Sequence, residues 1–438
     1  MNKPAIRVLL LTYYWPPSGG AGVQRWLKFS KYLALQDMDI TIVTPENPEY
    51  PSVDESLSRD IHPSIKVIKY PIWEPYSWYK KLIGKSDQEG INTGFLSESE
   101  QVGWKEKLSR WVRGNFFIPD ARKFWIKPTI KSLNGLLDHQ SFDVIISTGP
   151  PHSLHLIAKA IKEKHDIKWI ADFRDPWTNI DFYEELMLSA RADKKHHRLE
   201  KAVCDMADDL LVVGNTMKQE FEAITNSTPI HVIPNGYDPA DQTNSTIELD
   251  QNRFILSHIG SFSPARNVPA LWQALAELCE ETPELKDQLV IRSIGKTDSS
   301  VLASIQQAGL SAHLEKINYV PHDQIGDYQR QSHVLLLPVN QSPNAKGILT
   351  GKVFEYLSSN RPILAIGPED GDLAHLMEQV NGDPVIEWSK KEDIKARVRK
   401  CFQEHQQGIC QAHYQDVATF SREQLAVRIK GIIEQRLK

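Results

Sequence analysis

Lys352 and Glu355 stand three residues apart in the stretch Gly351-Lys-Val-Phe-Glu-Tyr-Leu-Ser-Ser. On a helix that spacing puts both side chains on one face, with Val353, Tyr356 and Leu357 free to pack beneath. A lysine near a helix N-terminus would meet a diphosphate. A glutamate one turn on could accept two hydroxyl hydrogen bonds from a ribose. The glycines at 347 and 351 give the stretch the look of a nucleotide-triphosphate loop. Three residues separate them from each other where that loop needs four, and Val353 stands where a magnesium-binding Ser or Thr belongs. The triphosphatase reading is therefore rejected.

A second glycine cluster, Gly19, Gly20 and Gly22, follows the first apolar run and precedes a helical pattern. Glycines there let backbone amides approach an anion at a helix start, although a plain glycine turn has the same composition. The spacing is not the dinucleotide fingerprint, and Thr44-Pro45 rather than an acid follow the second run. NAD is not expected. Asp370-Gly-Asp372 imitates a metal-binding pair but reads as a turn.

Short β-rich runs alternate with helical patterns and must position these residues. Strands are expected at Ile6–Leu11, Ile40–Val43, Lys66–Tyr70, Val144–Ser147, Trp169–Ala171, Leu210–Val213 and His231–Ile233. Helices fit Gln24–Leu35, Leu154–Lys164 and Asp193–Met206 between them. A turn-rich polar run follows Ile233, and the rhythm restarts with Phe254–Ile259, Leu289–Ile294, Leu314–Tyr319, Val334–Leu337 and Ile363–Ile366. This is the βαβ alternation of parallel sheets covered by helices. It predicts an α/β chain of two doubly wound, Rossmann-like domains, with ligand sites at the C-terminal strand ends facing a shared cleft. The expected boundaries are 1–240, 250–417 and a terminal helix at 418–438.

The segment 66–131 breaks the rhythm. It holds Trp73, Trp78, Trp104, Trp111 and Trp125, and Trp104–Lys131 carries eight basic residues against two acidic ones. Trp104, Leu108, Trp111 and Val112 share a helical face, with Lys105, Lys107 and Arg110 elsewhere. Such a basic amphipathic helix suits an anionic lipid surface, with Trp104, Trp111 and Trp125 at the interface. The same pattern also suits a helical insertion that packs its aromatics inward.

The 438 residues exceed one core, and a net charge of −5 excludes a globally basic nucleic-acid binder. Four scattered cysteines suit a reducing compartment and argue against a disulfide framework or zinc site. The first apolar run is too short for a leader or a membrane span.

The order of motifs carries a resemblance. The glycine loop comes first, then Val232-Ile-Pro-Asn-Gly-Tyr-Asp238, then His258-Ile-Gly-Ser-Phe-Ser-Pro-Ala-Arg-Asn267. Next is Val320-Pro-His-Asp-Gln-Ile-Gly-Asp-Tyr-Gln, and last the stretch Gly351–Ala365. Together they resemble the retaining glycosyltransferases of the GT-B fold, family-4 type (glycosyl transferases group 1), over nearly the whole chain outside 66–131. Phe420–Lys438 looks like that family's terminal helix, which crosses back onto the first domain.

The resemblance implies sugar transfer from a nucleotide-diphosphate sugar to an acceptor hydroxyl, with retention and with no metal or other cofactor. It implies that Glu355 holds the ribose, that Arg266 and Lys352 grip the diphosphate, and that Gly351, Gly20 and Gly22 line the donor. Two departures are plain: Gly347 stands where the first glutamate of an E-x7-E pair belongs, and Ser261 where a first basic residue belongs. Arg174 and Asp175 replace a usual histidine; they would contact donor or acceptor, or pair with each other. His152 is another candidate for the cleft. The expected enzyme is cytoplasmic and serves cell-surface polysaccharide or glycolipid synthesis. Its partners are a donor sugar nucleotide, a glycan or lipid-linked acceptor and an anionic membrane surface on the inner face of the cell membrane, with no nucleic acid. A sugar-nucleotide 2-epimerase of the same fold and a non-catalytic donor-binding scaffold are the rival readings.

Overall fold

The computed structural model describes residues 5–50, 52–74, 104–242 and 249–438, leaving aside the side chains at 21, 104–107 and 109. Trp78 and the side chains of Trp104, Lys105 and Lys107 therefore lie outside the described residues. The chain divides into two compact units, residues 1–235 with 422–438, and residues 236–421. The junction between Asn235 and Gly236 falls inside the turn-rich polar run that follows Ile233. The reason is local. Gly236 turns the chain at φ 63°, and Tyr237 N–H already donates to the Phe420 carbonyl at 3.2 Å inside the second unit.

In the first unit the strands are β1 (Arg7–Leu11), β2 (Asp39–Pro45), β3 (Lys66–Tyr70), β4 (Val144–Gly149), β5 (Lys168–Phe173), β6 (Asp209–Val212) and β7 (Ile230–Val232). They form one parallel sheet in the order β3-β2-β1-β4-β5-β6-β7, with Val8 opposite Ile40 on one side and Val144 on the other. Alternation sends Leu9 and Leu11 to one buried face and Val8 and Leu10 to the other. Sheets buried on both faces read as continuous apolar runs, which is why these strands are visible in the sequence. The strand order reverses between β1 and β4, so the crevice of this unit opens at their C-terminal ends.

A buried ion pair fixes the helix Ala21–Ala34 to β5. Arg25 meets Asp172 at 2.7 Å, and Trp26 Nε1 and Thr148 Oγ1 donate to the same carboxylate. Burial pushes the Asp172 carboxyl up, but Arg25 and these donors hold it below its usual range. The helix Arg422–Arg436 also belongs to this unit and buries Leu425, Ala426, Ile429 and Ile433 against Val8 and Trp26.

One expectation needs correction. Trp125 is not a surface anchor. The helix Lys123–Leu137 turns Trp125, Thr129 and Leu133 inward at i, i+4 and i+8, and Trp125 is 1% exposed. Its indole N–H donates to the Tyr70 carbonyl at 3.3 Å. Among the described residues of 66–131 the aromatic side chains left in solvent are Trp73, Trp111, Phe116 and Phe124, and Leu108 on the helix Trp104–Phe116 is exposed as well. Among the described residues no helix is long and apolar enough to cross a membrane.

The second unit contains β8 (Phe254–Ile259), β9 (Leu289–Ile294), β10 (Leu314–Ile317), β11 (Val334–Pro338) and β12 (Ile363–Ile366), parallel throughout in the order β10-β9-β8-β11-β12. Its order reverses between β8 and β11. The helix Gly351–Ser358 is anchored there: Val353, Phe354, Tyr356 and Leu357 are buried, and Ile259 N–H donates to the Tyr356 hydroxyl at 3.1 Å. That bond sets the start of the helix beside the turn leaving β8.

Candidate functional site

Three basic residues meet around that turn in the second unit. Gly260 has φ +103°, a conformation that side chains rarely adopt. A Cβ there would sit 2.7 Å from both Cε and Nζ of Lys352, so the lysine needs this glycine. Lys352 Nζ lies 3.5 Å from Nε2 of His258, which is buried in β8. Arg266 sits on the short turn Pro264–Arg266. Its Nε donates to Asn340 Oδ1 at 2.7 Å and its Nη1 to the Ser261 carbonyl at 2.8 Å. Burial holds the Lys352 amine well below its ordinary range; Arg266 adds to this and Glu355 opposes it. Burial, Lys352 and Arg266 likewise keep the His258 imidazole neutral at ordinary pH.

Glu355, one turn beyond Lys352, lines a cavity of about 200 Å³ with Asp241, His322, Gln329 and Arg330. Gln329 Nε2 lies 3.5 Å from Glu355 Oε2, and His322 pairs with Asp241 at 3.2 Å. Gly351 opens the helix, and Thr350 before it makes no side-chain cap, so the first backbone amides keep their polarity. The second unit therefore offers cations and a helix start for an anion, with a carboxylate and a polar cavity next to them. The two departures seen in the sequence are real features of the backbone: Gly347 closes the turn Ala345–Gly347, and Ser261 is exposed and gives its carbonyl to Arg266.

The remaining predicted residues gather in the first unit. Gly20, at φ +86°, leads into the helix Ala21–Ala34. Arg174 does not pair with Asp175. Its guanidinium donates to the carbonyls of Gly22, Gly149 and Pro150, and it lies over the Tyr14 ring at 5.7 Å. It ties the first turn of the helix Ala21–Ala34 to the ends of β4 and β5. Asp175 stays exposed beside it. His152 is 6% exposed and stacks on Trp177 at 4.7 Å between ring centres, with its Nδ1 unpartnered. Burial pushes its imidazole well below the ordinary value.

Sequence reasoning missed His258. The signal was a polar residue inside an otherwise apolar strand, immediately before the glycine turn. It also missed a buried group formed by His333, His405 and Cys410, whose ligand atoms lie within 4.8 Å of one another. Ile255 N–H donates to His333 Nδ1 at 3.0 Å, which puts the imidazole proton on Nε2. With that bond in place His333 cannot offer Nε2 to a cation, and the group does not fit a metal.

A family model described as Glycosyltransferase Family 4 matches residues 19–241. No curated protein matches the chain. Among solved structures, the chain is similar to sucrose-phosphate synthase from Thermosynechococcus elongatus, with a TM-score of 0.66 and 11% identity over 98% of each chain. It is similar to WaaG, a glycosyltransferase involved in lipopolysaccharide biosynthesis, with a TM-score of 0.55 and 14% identity over 97% of this chain and 100% of that one. A third likeness is the structure titled trehalose-6-phosphate from E. coli bound with UDP-2-fluoro glucose, with a TM-score of 0.60 and 10% identity over 98% and 99%. At such identities the fold alone is shared: two Rossmann-like domains in the GT-B arrangement.

Proposed function

The chain belongs to Glycosyltransferase Family 4, and from that premise we propose that it moves a sugar from a nucleotide-diphosphate sugar to an acceptor hydroxyl with retention of anomeric configuration. The observation that carries this reading is the convergence of Lys352, Arg266 and Gly260, with Glu355 one helical turn away. The spacing suits a nucleoside diphosphate. The diphosphate meets the two cations and the amides at Gly351, and the ribose hydroxyls meet the Glu355 carboxylate.

Cleavage of the sugar–phosphate bond leaves negative charge on the departing diphosphate. Preorganised positive groups lower that barrier because they need not reorient as the charge develops. Lys352 and Arg266 take this role, with no metal or other cofactor called for by the reading. Arg174 holds the loops of the first unit in shape, and Asp175, exposed beside it, is free to meet substrate.

The acceptor is a glycan or a lipid-linked sugar of cell-surface polysaccharide or glycolipid synthesis. The exposed Trp73, Trp111, Phe116 and Phe124, with Lys123 lying 5.0 Å from the centre of the Phe124 ring, suit an anionic lipid surface on the cytoplasmic side. Vesicle co-sedimentation at low and high salt tests this part by itself. Equal sedimentation with neutral and anionic vesicles, or none at all, would remove the anionic lipid surface from the reading.

The central test mixes the purified protein with UDP-, GDP- and ADP-sugars, with and without an acceptor glycan. Acceptor-dependent release of nucleoside diphosphate, with retained anomeric configuration by NMR and no loss of rate in EDTA, is expected. Altered sugar nucleotide without acceptor would point to an epimerase. Donor binding with no turnover under any condition would point to a scaffold.

A further inference from the structure

Lys352 and His258 are two bases that share one contact. His258 Nδ1 faces the Leu336 carbonyl at 3.2 Å. A neutral imidazole that donates there leaves Nε2 as an acceptor toward Lys352 Nζ, 3.5 Å away, while the Ser261 carbonyl sits 3.3 Å from the same nitrogen. The charged and titratable groups acting on the pair are Arg266, from the turn after β8, and Glu355, from Lys352's own helix. Glu355 is the one carboxylate of this set, and among the described residues no carboxylate forms an ion pair with Lys352. The Lys352 amine is packed against Gly260, so water cannot supply a full hydration shell to a second cation beside Arg266.

We propose that the His258–Lys352 pair takes up a proton from solvent when it binds the donor's diphosphate, so that donor binding is proton-linked. This rests on the reading that the diphosphate sits at Gly260. The physics is reciprocal. Burial and Arg266 keep the free pair short of its full charge. A diphosphate arriving within a few ångström favours the charged form and raises the pair's affinity for a proton. Between the free and bound pKa values, affinity for the diphosphate therefore falls as pH rises, by about tenfold per pH unit if one proton is taken up. The proton returns to solvent when the diphosphate leaves.

The experiment is calorimetric titration of the full chain with UDP, GDP and ADP at about pH 8, where the terminal phosphate, with a second pKa of about 6, is itself ionised. It is run in buffers of low and high ionisation enthalpy. The expected result is uptake of close to one proton per bound nucleotide by the native chain. Lys352→Arg separates charge from titration, because a guanidinium stays protonated. This variant should bind the nucleotide with little or no uptake, and its affinity should be nearly flat with pH. His258→Gln should reduce the uptake without abolishing binding. Binding by the native chain with no proton uptake would overturn the proton linkage and leave the diphosphate site intact. Failure of all three nucleotides to bind would overturn the site reading itself, and the linkage with it. Should Lys352→Arg fail to fold, the buffer comparison on the native chain still decides the matter.

Discussion

Arg174 and Lys352 each lie over a glycine, one in each unit, and they differ in what faces them. A Cβ on Gly22 would come within 3.4 Å of Arg174 Nη1, and one on Gly260 within 2.7 Å of Lys352 Nζ. Arg174 spends its donors on three main-chain carbonyls. Lys352 meets a neutral imidazole and has Arg266 for a neighbour. A cation surrounded by acceptors is a fastener. A cation facing other bases leaves room for an anion. Lys352 follows Gly351 directly, while Arg174 has no glycine near it in the sequence, yet both side chains come to rest over a glycine, in opposite surroundings.

The contrast breaks most visibly at Lys352. Lys352→Met should lower turnover by about 10²- to 10³-fold, the scale of losing one preorganised donor at about 2.7–4 kcal/mol. Thermal stability should hold steady or rise, because a poorly compensated, half-buried base is removed. Unchanged turnover in a donor-release assay would end the functional assignment.

Arg174→Met should behave in the opposite way. Three carbonyls lose a charged donor, and stability should drop by about 3 kcal/mol, with individual charged hydrogen bonds contributing roughly 1.5–3. Chemical denaturation checks this. A melting temperature that moves less than it does for Lys352→Met would refute the fastening role.

Glu355→Ala sharpens the picture within the second unit. Nucleotide affinity should weaken by about 1.5–3 kcal/mol, read by calorimetry, with the fold intact because the side chain lines a cavity and makes one long contact, to Gln329. An affinity equal to that of the native chain would take Glu355 out of the site.

The smallest effect concerns pH and compares the units directly. Burial lowers His155 in the first unit to about 3; Arg174 adds to this and Asp172 opposes it. Burial, His405 and Arg361 lower His333 in the second unit to about 3 as well. Each is depressed from 6.5, so below that value the unfolded chain binds protons that the native chain refuses. Stability is full above about pH 6.5 and is lost as pH falls toward 3, by up to about 1.4 kcal/mol per pH unit for each histidine. Replacing either with Gln should flatten the slope between pH 7 and 5 in denaturant titrations; an unaltered slope would contradict the burial argument.

The strands were legible because parallel strands buried on both faces are apolar throughout. Phe254–Ile259, Leu289–Ile294 and Ile363–Ile366 fall where the sequence pattern puts them. The run Leu314–Tyr319 stops at Ile317, since β10 lies at a sheet edge, where one neighbour alone supports it. The Lys352–Glu355 pair was legible through its local spacing. Its surroundings were not: His258 lies 94 residues from Lys352, and Gly22 lies 152 from Arg174. No periodicity links positions so far apart. Trp125 misled for a different reason. Its neighbours are basic, but the face that decides its burial is set by Thr129 and Leu133 further along the same helix.

The helix Arg422–Arg436 completes the first unit although the whole second unit lies between it and the strands it covers. During synthesis the order of events is therefore inverted. Residues 236–421 have all their parts before the earlier-made sheet can close over Leu425, Ile429 and Ile433. Until then Val8, Leu27 and Leu33, which share one apolar cluster with that helix, lack its cover. A nascent chain halted before Arg422 would keep that apolar cluster open, a surface for chaperones to grip.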